Sequence, residues 1–193
     1  MLIVAGVNAL TRLAHTARGG DDAALEAFID GAYEPVWRLC ASLVDNESAE
    51  DLAQETFIRA VRALPQFRGD ASARTWLLAI TRNTCMDELR SRSRRRRRDM
   101  VLQAGYECVD LAPDASQEIT VADLISRLQP ERRAAFVLTQ LLGLTYQEAA
   151  QVCECPVGTI RSRVARARAD LLGLLEPVAL DRQAPKRGRS SSA

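Results

Sequence analysis

The chain has 193 residues, 47% of them hydrophobic and 26% charged, with a formal net charge of +1. That is room for one ordinary domain or two small ones; it excludes a disordered chain, which would be poorer in apolar residues and farther from neutrality, and a collagen-like or low-complexity one. Only 5% of the residues are aromatic and 10 are glycine, a composition that favours helices over many-stranded sheets.

The start, residues 1–7, is apolar but lacks the basic flank of a signal peptide, and no later run reaches the 18 or so apolar residues of a membrane span. A soluble chain without membrane insertion is expected. Residues 22–44 place Leu25, Phe28, Ile29, Ala32, Val36, Trp37 and Leu39 mostly three and four apart, a helical stripe. Pro35 inside it predicts a bend or a split. Residues 48–64 repeat the signal through Leu52, Phe57, Val61 and Leu64, with Glu47, Glu50 and Asp51 where the helix dipole favours acids. Pro65 ends that helix. A polar loop over 66–72 leads into a third long helix from Ala73, with Trp76, Leu77, Ile80, Met86 and Leu89 on its apolar side.

That helix passes into Arg90, Arg92 and Arg94 to Arg98, seven charges in nine residues. Such density surrounds a helix and repels itself, so it calls for anions, of which nucleic-acid phosphate is a common one. Residues 99–120 then carry five acids and no base, with Gly105 and Pro113, and read as a linker. Blocks of opposite sign point to macromolecular partners.

Beyond the linker, residues 121–128 form a short helix stopped by Pro130, and 131–142 another, stopped by Gly143. Thr145 and Glu148 have capping-box spacing, so a third helix starts there. It breaks over Glu154 and Cys155 and restarts at Pro156, which suits a first helical position. Two short helices across a tight turn make a helix-turn-helix by spacing. On the second of them Ile160, Val164, Ala167 and Leu171 share one side, while Thr159, Ser162, Arg163 and Arg166 lie outside it. Arg for guanine edges and phosphates, with hydroxyls and small residues between, is what a recognition helix presents to the major groove.

Three further patterns carry less. Phe67, flanked by Arg68 and Gly69 with Asn83 on the following helix, has the makings of a platform for an unstacked base, although pattern alone favours Phe67 closing the core beneath its loop. Trp76 reads as core. Asp45, Glu47, Glu50, Asp51 and Glu55 are dense enough to raise a metal-dependent hydrolase, yet the only histidine, His15, is elsewhere and no metal-binding spacing is present; the same acids suit a basic partner helix. Cys153 and Cys155 lack the further ligands zinc needs, and the odd count of five cysteines shows no disulfide framework, so reduced, cytoplasmic thiols are expected.

Taken in order, Asp51-Leu-Ala-Gln-Glu-Thr-Phe57, Phe67-Arg-Gly-Asp70, Thr75-Trp-Leu77, Ala79-Ile-Thr-Arg-Asn83 with Asp87, Gly143-Leu-Thr-Tyr-Gln-Glu-Ala-Ala150 and Cys155-Pro-Val-Gly-Thr-Ile-Arg-Ser-Arg163 resemble the two globular domains of bacterial extracytoplasmic-function (ECF) sigma factors, over about residues 22–175. The resemblance implies a non-enzymatic initiation factor with no cofactor, metal or catalytic residue. Asp51, Gln54, Glu55 and Phe57 would dock on the clamp coiled coil of the largest subunit of core RNA polymerase. Phe67, Arg68, Asn83 and Arg90 would serve the minus-ten element, with Phe67 and Asn83 capturing a flipped base. Thr159, Arg161, Ser162, Arg163 and Arg166 would read the minus-thirty-five element. The acidic linker would lie in the polymerase RNA channel, and an anti-sigma protein would be a further partner besides promoter DNA.

The expected architecture is therefore all-α: an N-terminal domain over 1–98, a flexible linker over 99–120, a helix-turn-helix domain over 121–178 and a disordered basic tail over 179–193. The main alternative is a stand-alone helix-turn-helix regulator.

Overall fold

Eight α-helices build the described residues, 2–102 and 120–182, of the computed structural model, with no strand among them. The linker segment 103–119, most of the expected linker, and the end of the expected tail, 183–193, lie outside the described residues.

The first helix, α1 (Leu2–Arg18), is absent from the sequence reading. It packs along α2 (Asp22–Leu43) through Leu10, Ala14 and Ala17, all buried. The turn between them uses Gly20 at φ +93°, where glycine alone carries no steric cost. Asp21 then caps α2 by accepting from the Ala24 amide at 2.9 Å. The buried stripe of α2, Ala24, Phe28, Ala32, Val36, Leu39, Cys40 and Leu43, faces α1, α3 and α4. Of the bend or split expected at Pro35, the split does not occur: α2 is continuous. Packed residues on both sides of the proline, Ala32 and Val36, are wholly buried, and that burial outweighs one missing backbone donor.

Helix α3 (Ala49–Ala63) ends in a tight 3-10 turn over Leu64–Gln66, and α4 (Ala73–Leu102) crosses both α2 and α3. Buried Thr56, Thr81 and Thr84 donate their hydroxyls to the carbonyls four residues back, so none is left unpaired. The sulfurs of Cys40 and Cys85 meet in the core at 3.7 Å. Hydrogen bonding to Cys40 and burial push the Cys85 thiol far up, which keeps it protonated and inert. The arginine run stays helical, so α4 passes the expected boundary at residue 98 and ends at Leu102.

In the second half, α5 (Val121–Ser126) is closed by a capping box between Thr120 and Asp123. Helix α6 (Pro130–Phe136) widens into a π-helical turn, Val137–Leu141, before Gly143 reverses the chain at φ +68°. Helix α7 (Tyr146–Val152) has the expected box, Thr145 accepting from the Glu148 amide at 3.2 Å and Glu148 from the Thr145 amide at 2.8 Å. The chain turns through Glu154 at φ +50° and enters α8 (Val157–Arg182).

The two halves also touch each other directly. One hydrophobic cluster runs from Leu10 to Val164, and α4 packs on α7. Arg74 donates to the Leu142 carbonyl at 2.7 Å. Arg133, 8% exposed, reaches the last carbonyl of α2, Leu43, at 2.8 Å and the Leu128 carbonyl at 3.0 Å, and also bonds the Ser126 carbonyl.

Candidate polymerase and promoter interfaces

The sequence of α3 places Asp51, Gln54, Ile58 and Val61 at i, i+3, i+7 and i+10, one face of the helix, and all four are exposed. Ile58 is 47% and Val61 40% exposed, so an acidic end runs into an apolar one. The two apolar residues were not among the sequence candidates; their signal is the apolar pair left over once the core stripe Ala53, Phe57, Ala60 is assigned. Two candidates are placed differently from expectation. Phe57 is buried, 8% exposed, its ring parallel to Tyr33 at 6.4 Å, so it supports the face from beneath. Glu55 turns to Arg59 at 2.7 Å, which continues to Asp87 on α4. With Asp45 bonded to Arg92 and Glu50 to Tyr33, the acids of this region are dispersed among separate partners, and among the described residues no group of three or more metal-binding side chains forms.

The loop over 67–72 leads into α4. Its first residue, Phe67, is 3% exposed, wedged against Trp76 at 5.0 Å and His15 at 5.2 Å. The ring therefore belongs to the core, as pattern alone favoured, and is not an open platform; Arg68 and Asp70 are the loop's exposed polar side chains. On α4, Asn83, Asp87 and Arg90 follow at i, i+4 and i+7, all exposed. Asn83 accepts from Arg82 at 3.1 Å, and Arg90 pairs with Asp87 at 3.2 Å. Farther on, Arg94 to Arg98 are all exposed, whereas Arg92 turns inward to Glu88, Asp45 and Ser48.

On α8 the split into faces is as the spacing predicts. Ile160, Val164 and Ala167 are buried and Leu171 half-buried. Arg161, Ser162, Ala165, Arg166 and Ala169 are exposed, so charged and hydroxyl groups alternate with small residues that permit close approach. Thr159 is half-buried, and its carbonyl takes the Ser162 hydroxyl. Arg163 is half-buried too, its guanidinium 3.7 Å from the Cys155 sulfur. Burial raises the Cys153 thiol to about 11, so it carries no reactive thiolate at neutral pH.

Candidates from the two halves meet at one carboxylate. Glu131 on α6 binds Arg82 of α4 at 3.2 Å and Arg163 of α8 at 3.2 Å. The same Arg82 holds Asn83. A residue expected to serve the downstream element and one expected to read the upstream element are thus linked through a single acid.

Residues 28–95 match the family described as Sigma-70 region 2, and residues 119–171 the family described as Sigma-70, region 4. The chain is 48% identical over 175 residues to the ECF RNA polymerase sigma factor SigC of Mycobacterium tuberculosis, covering 88% of this chain and 92% of that protein. Among solved structures it is similar to CnrH in complex with the cytosolic domain of CnrY, with a TM-score of 0.66 and 26% identity over 88% of this chain and 98% of that one. It is also similar to the sigma factor RpoE bound to the anti-sigma factor NepR from Bartonella quintana, with a TM-score of 0.57 and 31% identity over 75% and 91% of the two chains.

Proposed function

This chain belongs to the ECF sigma factors of bacterial RNA polymerase, and from that membership we propose how its surfaces carry out promoter-specific initiation. It binds core polymerase and brings it to promoters; the finer assignment concerns which residues do what. The face Asp51, Gln54, Ile58 and Val61 docks on the clamp coiled coil, acids toward basic groups and the apolar pair into the contact centre, with Phe57 as the support below. The loop over 67–72 with Arg68, Asn83 and Arg90 engages the minus-ten element. Holding an unstacked base there makes the melted state bind better than the duplex, and that difference in affinity shifts the equilibrium toward opening. Phe67 contributes by anchoring the loop. The exposed face of α8, Arg161, Ser162 and Arg166 with Thr159 and Arg163 at its margin, reads the minus-thirty-five element.

No chemistry is asked of the protein: its work is binding, in the cytoplasm where core polymerase operates, without a cofactor. An anti-sigma protein belongs to the same reading, because the similar RpoE structure holds one. The observation that carries the proposal is that both family regions lie in order in one chain and each presents exposed polar side chains on a helix whose opposite face is buried. Core polymerase with the full chain on a pool of genomic promoter fragments, read by sequencing transcript 5′ ends, tests it. Starts that share two upstream motifs are expected. Specific duplex binding by the chain alone, with no core binding and no starts, would move the assignment to a stand-alone regulator.

A further inference from the structure

We propose that α1 is the mount of the promoter-reading loop and that Thr11, His15 and Arg18 are positioning residues for minus-ten recognition. The inference rests on the assignment of the loop over 67–72 to that element. The family match begins at residue 28, so α1 lies wholly ahead of it.

Thr11, His15 and Arg18 stand at i, i+4 and i+7, a single stripe beside the buried one of Leu10, Ala14 and Ala17. The stripe meets the loop at its start, its middle and its end. Arg18 donates to the Phe67 carbonyl at 2.7 Å. His15 lies against the Phe67 ring and over Gly69, where a Cβ would come within 2.7 Å of Nε2. The Thr11 hydroxyl accepts from the amide of Ala73, the first residue of α4. Seven residues of helix rise about 10 Å, so helix and loop run side by side in opposite directions, joined at three points.

Among the described residues the loop's own bonds lie at its ends, Phe67 amide to Leu64 carbonyl and Ser72 to Thr75 and Trp76. Its middle holds Gly69 at φ +83°, a conformation that needs no side chain and also needs something to select it. His15 supplies the selecting surface. A loop already in its bound shape loses less conformational freedom when it captures a base, which raises affinity without any new contact to DNA.

His15 and Arg18 are exposed and Thr11 half-buried, so substitution there leaves the buried stripe Leu10, Ala14 and Ala17 in place. The test uses full chain in reconstituted holoenzyme and three readouts: affinity for a single-stranded oligonucleotide carrying the non-template minus-ten sequence of a mapped start, affinity for an upstream-element duplex, and affinity for core polymerase. Thr11→Val, His15→Ala and Arg18→Gln together are expected to weaken the single-strand affinity by about tenfold or more while the other two stay unchanged. Arg18→Lys, which keeps a cationic donor, recovers most of the loss of Arg18→Gln. Arg68→Ala, at an exposed residue of the loop itself, is the control for the assignment. Loss in the control with unchanged single-strand affinity in the α1 variant would overturn the mount. No loss in the control would remove the loop's assignment, and the mount with it. An equal fall in all three affinities, for Arg18→Gln alone as for the triple variant, would reduce α1 to a plain structural helix.

Discussion

Replacing Arg133 by alanine removes a donor that three backbone carbonyls share, those of Leu43, Ser126 and Leu128. The side chain sits at the junction of the halves, where burial pulls the guanidinium's pKa down. A hydrogen bond to a charged group contributes about 1.5–3 kcal/mol, and a buried acceptor left unpaired costs about 1–3 kcal/mol. Three acceptors give a gross loss of about 5 kcal/mol. Removing a cation from a poorly solvated place offsets part of it, as does the Nε atom, which has no partner among the described residues. The net expectation is about 3 kcal/mol, or roughly 6–12 °C in Tm for a chain of this size. Calorimetry with circular dichroism at 222 nm measures it, with Arg132→Ala as the comparison. Arg132 bonds Asp170 at the surface and its loss should cost less than about 1 kcal/mol. A Tm for Arg133→Ala within about 2 °C of that control would refute the reasoning and mean that water already reaches the carbonyls.

Phe67→Ala should destabilise the chain by about 3–5 kcal/mol in urea unfolding, because it empties a site closed by His15 and Trp76; a loss below about 1 kcal/mol would contradict a core role. Asp51→Arg or Ile58→Asp should abolish co-purification with core polymerase while leaving Tm within about 2 °C, as both residues are exposed; normal co-purification would exclude this docking face. Arg166→Ala should reduce discrimination at the upstream element and leave the downstream one alone, scored by start-site sequencing on promoters mutated in either motif. Burial works to raise the Asp45 carboxyl, but hydrogen bonds from Arg92 and Ser48 and the charge of Arg92 outweigh it and hold the group below its ordinary 3.8. A depressed folded pKa gives stability that is present above the unfolded value and fades as pH falls through the folded one. Asp45→Asn should therefore be less stable than the parent at pH 7, with the gap closing as pH falls through the lowered folded value, and a gap in urea midpoints that stays constant into acid would count against the assignment.

The helix-turn-helix was legible because its signals are local. Thr145 and Glu148 cap each other within one turn, Pro156 marks a start, and Ile160, Val164 and Ala167 repeat at helical spacing. Helix α1 was hidden by its chemistry: Leu10, Ala14 and Ala17 are a thin stripe, and two of the three are alanines that give little contrast between faces. Phe57 and Ile58 are adjacent and both apolar, yet one is buried and the other open, which only the packing of α3 decides. The junction left no trace at all, since Arg74 and Arg133 bind backbone carbonyls, and a carbonyl is the same whatever residue bears it.

The contacts between the halves differ in their reach to solvent. Glu131, whose side chain is 48% exposed, bridges Arg82 and Arg163, whose side chains are 12% and 24% exposed, and on its open side mobile ions shorten the range of charge from about 10 Å at 0.1 M to about 3 Å at 1 M. The rivets at Arg74 and Arg133 end on neutral carbonyls, which offer no net charge to screen. Added electrolyte is therefore expected to weaken the Glu131 clasp more than the rivets. On the proposed reading, a polyanion that recruits either guanidinium must displace that carboxylate. If those guanidiniums serve DNA as proposed, the logarithmic dependence of DNA affinity on salt is expected to be flatter than a plain tally of arginines on α4 and α8 gives, because salt weakens the competitor along with the complex.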